Sequence, residues 1–209
     1  MNKGHKGLLI AFEGIDGSGK TSHIPLLAQY LRELGHTVVE TREPTDGTHG
    51  KRIRSLLSQR HQMTKEEELE LFLLDRRDHV QECINPALAA GHIILTDRYY
   101  FSTAAYQGAA GGDLAAIFNR NAFAPEPDLV LLLTISADEG IRRIREGRGE
   151  SPNDFEQKDQ LEKVAALFAS FPQKYISRIN GAASLEAVQA EIRHRVRALC
   201  QDKGLAYQP

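Results

Sequence analysis

Five apolar residues, Leu8-Leu9-Ile10-Ala11-Phe12, run almost directly into Gly14-Ile15-Asp16-Gly17-Ser18-Gly19-Lys20-Thr21. An unbroken apolar run of that length is the pattern of a strand buried on both faces. The eight residues that follow fit G-x-x-x-x-G-K-[ST], and each fixed position has a physical task. The glycines let successive backbone N–H groups turn inward toward phosphate oxygens. The helix that follows adds the positive end of its dipole. Lys20 can reach the β and γ phosphates, and the Thr21 hydroxyl can hold Mg²⁺. A strand before the loop and a helix after it are the context in which this motif binds a nucleotide phosphate chain.

The rest of the chain repeats the alternation. A helix is predicted after the loop as far as Leu34, with Gly35 as its C-terminal cap. Pro25 lies inside it and predicts a kink or a later start. Strands are predicted at Thr37–Thr41, Ile93–Thr96, Asp128–Ile135 and Ile176–Ile179. Helices are predicted at Glu66–Ala90 with a break near Pro86, at Ala137 to about Glu146, at Phe155–Phe171 and at Leu185–Leu199. Strands separated by helices imply βα units, hence a parallel sheet with helices on both sides. Arg142 to Asn153, rich in Arg and Gly and followed closely by Asp154, reads as a mobile loop within one domain.

Composition narrows the function classes. At 209 residues the chain is long enough for one domain with a full core. Its 41% hydrophobic and 26% charged residues are those of a globular protein. A net charge of −2 gives no global attraction to nucleic acid or to an anionic membrane, so an anion site must be local. No apolar run approaches the roughly 20 residues of a membrane span, and no secretory leader is recognisable, so a cytoplasmic protein is expected. The two cysteines, Cys83 and Cys200, match no zinc spacing, and the eight histidines form no ligand cluster. Cys83 is expected to be a small buried residue, and Glu66-Glu67-Glu68 a solvated first turn that favours the helix dipole.

A phosphate cradle alone does not separate kinases from other nucleotide-binding proteins. No Asn-Lys-x-Asp signature for reading guanine is present. A second signature, Asp97-Arg98-Tyr99-Tyr100-Phe101-Ser102-Thr103-Ala104-Ala105-Tyr106-Gln107, follows the third strand. In a parallel sheet the carboxyl ends of the strands face the ligand crevice, so Asp97 and Arg98 should emerge beside the cradle. An Asp there can orient Mg²⁺ and its waters, and an Arg can hold a second phosphate in a bidentate fork. A buried Asp–Arg pair capping the strand is the alternative reading.

With these motifs the chain resembles the thymidylate kinases. The resemblance is carried by the acid in the phosphate loop, Thr41-Arg42-Glu43-Pro44, Phe72 through Arg76, Asp97-Arg98-Tyr99 with Ser102, Ala105-Tyr106-Gln107, and Pro127-Asp128-Leu129. It implies a P-loop nucleoside monophosphate kinase fold, an α/β domain over residues 1–209 with a five-stranded parallel sheet in the order 2-3-1-4-5. It implies ATP as co-substrate, Mg²⁺, and transfer of a phosphoryl group to dTMP. It also implies a homodimer. By the same resemblance, Gly14 through Thr21 bind ATP, with Thr21 and Asp97 serving Mg²⁺. Phe72 stacks on thymine, Arg76 bonds the base, and Thr103 and Gln107 line its pocket. Arg42 and Arg98 clamp the acceptor phosphate, Asp16 accepts from the sugar 3′-hydroxyl, and Tyr106 packs under the sugar.

The lid of the family, here about 142–156, closes over ATP. Because Gly17 rather than arginine stands in the loop, the resemblance places the catalytic arginine in the lid, on Arg145 or Arg148, with Arg143 next. Lys20, Asp97 and Arg98 complete the expected catalytic set. The chain departs from the family in three segments, one of them Leu167-Phe168-Ala169-Ser170-Phe171, which lacks a tyrosine usual in that helix. Pro44-Thr45-Asp46-Gly47-Thr48 stands where Pro-Gly-Gly-Thr is usual, and Asn153-Asp154-Phe155-Glu156 lacks a usual arginine. Two other functions are compatible with the residues: a kinase for another monophosphate such as dUMP or a ribonucleotide, and a non-catalytic nucleotide-binding regulator.

Overall fold

The apolar run before the phosphate loop becomes the middle strand of the sheet. In a computed structural model that describes residues 7–56, 63–148 and 157–205, β1 (Leu8–Glu13) is flanked by β3 (Ile93–Asp97) and β4 (Leu129–Thr134). Outside these lie β2 (Val38–Arg42) and β5 (Ile176–Asn180), giving the order β2-β3-β1-β4-β5. All four pairings are parallel. This is the α/β architecture and the strand order expected.

Register positions the site. Asp97 at the end of β3 is level with Phe12 of β1 and Arg42 of β2. The carboxyl ends of three neighbouring strands therefore open onto one edge, where the loop after β1 begins.

The alternation of side chains along the strands divides the core in two. Leu8, Ile10 and Phe12 of β1, with Leu95 and Leu131, pack against Ile24, Leu27 and Leu31 of α1 (Lys20–Glu33) and Val188, Ile192 and Val196 of α9 (Leu185–Asp202). Leu9 and Ala11 face the other way, with Ile94, Val130 and Leu132. They meet Leu73 of α3 (Lys65–His79), Phe101, Ala104 and Ala105 of α5 (Tyr100–Ala109), and Val164 and Phe168 of α8 (Lys158–Ser170). Helices on both faces explain why the strands read as continuous apolar runs rather than alternating ones.

Helix boundaries follow local chemistry where it exists. α1 ends as expected: Gly35 takes φ 86° and donates to Arg32, while His36 donates to Leu31. α1 runs unbroken from Lys20 through Pro25, so the later start did not materialise. A proline this near the start forfeits one backbone bond, to Thr21. α3 opens on a capping box, Thr64 accepting from the Glu67 N–H at 3.2 Å and Glu67 accepting from the Thr64 N–H at 2.8 Å. The acidic first turn is solvated at Glu66, which pairs with Arg120 at 2.6 Å, and at Glu67, which caps the helix; Glu68 is the correction, because it is buried. Near Pro86 the helix does not stop. A π-helical stretch, Val80–Ile84, leads into α4 (Asn85–Ala89), with Pro86 in the first turn.

Three helices were not anticipated: α2 (Thr48–Leu56), α5, and α6 (Leu114–Arg120). α7 spans Ala137–Arg148, so the helix expected from Ala137 to about Glu146 is present and carries Arg142, Arg143 and Arg145, and the loop expected from Arg142 does not begin there. Residues 149–156, including the Asn153–Glu156 departure and the expected helix start at Phe155, lie outside the described residues. No helix among the described residues is long and apolar enough to cross a membrane.

Candidate active site

The loop between β1 and α1 is shaped by glycines that nothing larger can replace. Gly17 takes φ 78°, and a Cβ there would lie 2.4 Å from the Gly140 carbonyl oxygen of α7. A side chain at this position is sterically opposed by the backbone of α7. Lys20 is buried, and its Nζ donates to the carbonyls of Gly14 and Ile15, both at 3.0 Å, and to Ser18 Oγ at 3.4 Å. Burial first, and then the nearby Arg98 charge, lower its pKa to about 8.

The second signature meets this loop. Thr21 donates its hydroxyl to Asp97 Oδ2 at 2.6 Å. Arg98 donates to Asp16 Oδ1 at 2.6 Å, to Ser102 Oγ at 2.9 Å and to Gly14 O at 3.4 Å. Tyr106 donates to the other Asp16 oxygen at 2.7 Å, and its ring lies 5.2 Å from the Arg98 guanidinium. Arg98 adopts φ 72°, the only positive φ of a non-glycine residue among those described. Such a conformation costs about 1–2 kcal/mol and is sustained only by surroundings that over-determine it. Here the Arg98 N–H bonds Phe12 O at 2.9 Å while the side chain is held at three points.

Glu13, which the sequence reading did not single out, underlies this arrangement. Its fully buried carboxylate accepts from the N–H groups of Tyr99 and Ser102 at 2.9 and 3.1 Å and from the Ser102 hydroxyl at 2.5 Å. It caps α5 from the end of β1, a task a local side chain usually performs. Burial raises its pKa to about 7 against the Ser102 hydrogen bonds and the charges of Arg98 and Lys20.

A second cluster lies along α3 and α5. Arg76 is almost wholly buried. It donates to Glu43 Oε2 from Nε at 2.9 Å and Nη2 at 2.6 Å, to Thr103 Oγ1 at 2.9 Å and to Asn121 Oδ1 at 2.5 Å. Four of its five N–H groups are thereby used, and one on Nη1 remains for a ligand. Glu43 also accepts from His79 Nδ1 at 2.9 Å, and His79 Nε2 faces Thr41 Oγ1 at 2.7 Å. Cys83 is half-buried against His79 rather than enclosed in the core. Phe72, one turn before Arg76, is half-buried and lies outside both hydrophobic clusters. Gln107 is 5% exposed, yet neither its Oε1 nor its Nε2 has a partner. An unpaired buried carboxamide presents one donor face and one acceptor face to whatever enters.

A cavity of about 650 Å³ passes the loop, and its lining includes Lys20, His23, Arg42, Arg54, Asp97, Arg98 and Arg143. Of the basic residues on α7, Arg143 reaches it, with Nε bonded to Glu139 at 2.6 Å. Arg145 is exposed and does not line it, and the Arg148 side chain lies outside the described residues. Arg42, also on the wall, is bonded to Asp46 at 2.7 and 3.0 Å. Among the described residues no cluster of three His, Cys, Asp or Glu side chains could hold a metal ion. The Thr21 hydroxyl and Asp97 carboxylate are the hard oxygen pair that suits Mg²⁺ with retained waters.

The comparison with known proteins fits this geometry. A family model described as thymidylate kinase matches residues 12–192, which takes in the loop, both clusters and α7. The chain belongs to the thymidylate kinase family. It is 53% identical to the thymidylate kinase of Desulfotalea psychrophila over 193 residues, which cover 92% of this chain and 96% of that protein. It is 44% identical to the thymidylate kinase of Xanthomonas campestris pv. campestris over 199 residues, covering 94% and 86%. Family membership carries ATP as co-substrate with it. Against the usual thymidylate kinase pattern, the Thr45-Asp46 departure has a clear local role. Thr45 donates to Asp75 through its N–H at 2.9 Å and its hydroxyl at 2.6 Å, and Asp46 bridges Arg42 and Arg54.

Proposed function

We propose that this chain transfers the γ-phosphoryl group of ATP to dTMP, giving dTDP and ADP, with Mg²⁺ required. The observation that carries the reading is the junction of the Gly14–Thr21 loop with Asp97 and Arg98 at the carboxyl ends of β1 and β3. One anion cradle and one arginine fork there face the same cavity.

The acceptor is a phosphate monoester whose second ionisation lies near pH 6, so it reaches the site mostly as a dianion and needs no strong base. The task is to bring two anions together and to stabilise charge on the group in flight. Gly14 through Thr21 hold the donor phosphates, with Lys20 as the mobile cation. Arg98 and Arg42 hold the acceptor phosphate, and Asp16 and Tyr106 receive the sugar. Phe72, Arg76, Thr103 and Gln107 form the base pocket, in which the unpaired Gln107 carboxamide and the remaining Arg76 N–H supply hydrogen bonds to the thymine edge. Thr21 and Asp97 hold Mg²⁺, which when bound neutralises phosphate charge and orients the chain of phosphates. Residues 142–156 act as a lid within a single unit of 1–209, with an arginine reaching the transferred group. Arg145, Arg148 and then Arg143 are the sequence-derived candidates, and Arg143 lines the cavity. The molecule works in the cytoplasm, as a homodimer.

The test is nucleoside diphosphate formation from ATP-Mg²⁺ across a panel of monophosphates, with single alanine variants of Arg143, Arg145 and Arg148. A dominant dTDP product with at least a hundredfold loss of kcat in one of the three variants is expected. A dominant product from dUMP or a ribonucleotide would overturn the base-pocket reading, and full kcat in all three variants would overturn the lid reading.

A further inference from the structure

His23 has no part in the reading above, yet its imidazole stands in the wall of the large cavity beside Gly19, Lys20 and Arg143. It is the fourth residue of α1, and its N–H bonds the Gly19 carbonyl at 3.2 Å. Helical side chains lean back toward the N-terminus, so the ring lies over the last turn of the phosphate loop. A Cβ built on Gly19 would be 3.5 Å from the ring Cδ2 and 3.7 Å from Nε2. The residue is 5% exposed.

The protonation of the ring is decided from α9. Gln189 Nε2 lies 3.0 Å from the His23 carbonyl oxygen and 2.8 Å from His23 Nδ1. A carbonyl oxygen only accepts, so the amide nitrogen of Gln189, not its oxygen, must face it. The second amide hydrogen then goes to Nδ1, which must offer its lone pair. The ring proton is left on Nε2, which lies 3.7 Å from the Gly19 Cβ position at the end of the phosphate loop. Nε2 has no hydrogen-bond partner among the described residues.

We propose that His23, fixed by Gln189 as the Nε2–H tautomer, binds the donor nucleotide by donating that hydrogen to an oxygen of its phosphate tail or ribose. Gln189 is then a positioning residue that acts through the ring. The inference rests on reading Gly14–Thr21 as the ATP cradle. A neutral donor suits a wall that already carries Lys20, Arg98 and Arg143, because it adds direction without adding charge.

The test measures equilibrium binding of ATP, tripolyphosphate and dTMP to the wild type and to His23→Ala, His23→Gln and Gln189→Met. The ring tautomer is read from long-range ¹H–¹⁵N spectra. A protonated Nε2 with an unprotonated Nδ1 is expected in the wild type. His23→Ala should weaken ATP about three- to tenfold and leave dTMP unchanged, and His23→Gln, which can still donate, should recover most of the loss. Gln189→Met should mix the tautomers and weaken ATP about twofold, in proportion to the competent fraction. An equal loss for tripolyphosphate assigns the contact to the phosphate tail, and a loss for ATP alone assigns it to the ribose. Unchanged ATP affinity in His23→Ala, or a proton on Nδ1 in the wild type, overturns the proposal. If the alanine variant does not fold, the decision passes to Gln189→Met, where mixed tautomers with unchanged ATP affinity overturn it. Absence of ATP binding to the wild type would overturn the cradle reading itself, and is a separate result.

Discussion

Arg98 and Asp16, separated by 82 positions in the chain, meet at 2.6 Å, so the end of β3 is tied to the middle of the phosphate loop. Tyr106 takes the second Asp16 oxygen, and the three side chains form one hydrogen-bonded unit. Arg98→Ala should lower kcat/KM for dTMP by about 3 kcal/mol or more, roughly a hundredfold or greater, because it removes the phosphate fork and strands Asp16. Arg98→Lys should recover little, since an ammonium cannot reproduce the fork. Steady-state kinetics with dTMP varied decide it, and near-normal kcat/KM in the lysine variant would refute the fork.

Lys20 predicts an alkaline limit. Its pKa, lowered by burial to about 8, means that the free enzyme loses the cation above that pH. kcat/KM for ATP, which reports the free enzyme, should therefore fall above about pH 8. kcat should persist to higher pH, because bound phosphates favour the charged form. Profiles of both parameters between pH 6 and 10 test this, and coincident alkaline limbs would contradict it.

The buried Glu43–His79 pair predicts a pH-dependent stability. Burial opposes the charged ring, yet contacts with Cys83 and Glu43 raise the His79 pKa to about 9. Both ring nitrogens have acceptors, Glu43 and Thr41, as a doubly protonated ring requires. A raised folded pKa gives stability that is fully present below the unfolded value near 6.5 and is lost as pH rises through about 9. Glu43 is shifted the other way: burial opposes ionisation, but Arg76 and His79 lower its pKa. Its contribution is therefore lost as pH falls below the ordinary carboxylate range. Urea midpoints should show His79→Gln destabilised by about 2–3 kcal/mol at pH 6, with the deficit shrinking by pH 9.5. Glu43→Gln should cost about 3–5 kcal/mol at pH 7, since it strands the buried Arg76 charge. A pH-independent deficit for His79→Gln would rule out the charged ring.

Asp46 restrains Arg42 and Arg54 on the acceptor side of the cavity. The pair is exposed, so its strength is modest. Asp46→Asn frees both guanidinium groups for an incoming phosphate and should lower KM for dTMP about two- to fivefold with kcat little changed. A raised KM would show instead that Asp46 shapes the loop.

The elements read correctly in advance are those whose causes are local. β1, the loop and α1 follow from an apolar run, glycines and a lysine that are neighbours in the chain, and Gly35 ends α1 where expected. α5 could not be read this way. Tyr100–Ala109 mixes aromatic, hydroxyl and small residues without a clear period, and no side chain at its start caps it. Its cap is Glu13, 86 positions earlier than the Tyr99 N–H it accepts from.

By itself, the sequence determined a parallel α/β sheet, a glycine-rich loop at Gly14–Thr21 between β1 and α1, and the emergence of Asp97 and Arg98 beside that loop, because apolar periodicity and turn chemistry act over a few residues. Tertiary structure alone decided which charges meet: Glu13 beneath α5, Glu43 between Arg76 and His79, Arg143 rather than Arg145 on the cavity wall, and Gln189 on His23. Buried polar groups must be paired wherever packing places them, and that partner is set by the strand order and helix placement, not by spacing along the chain.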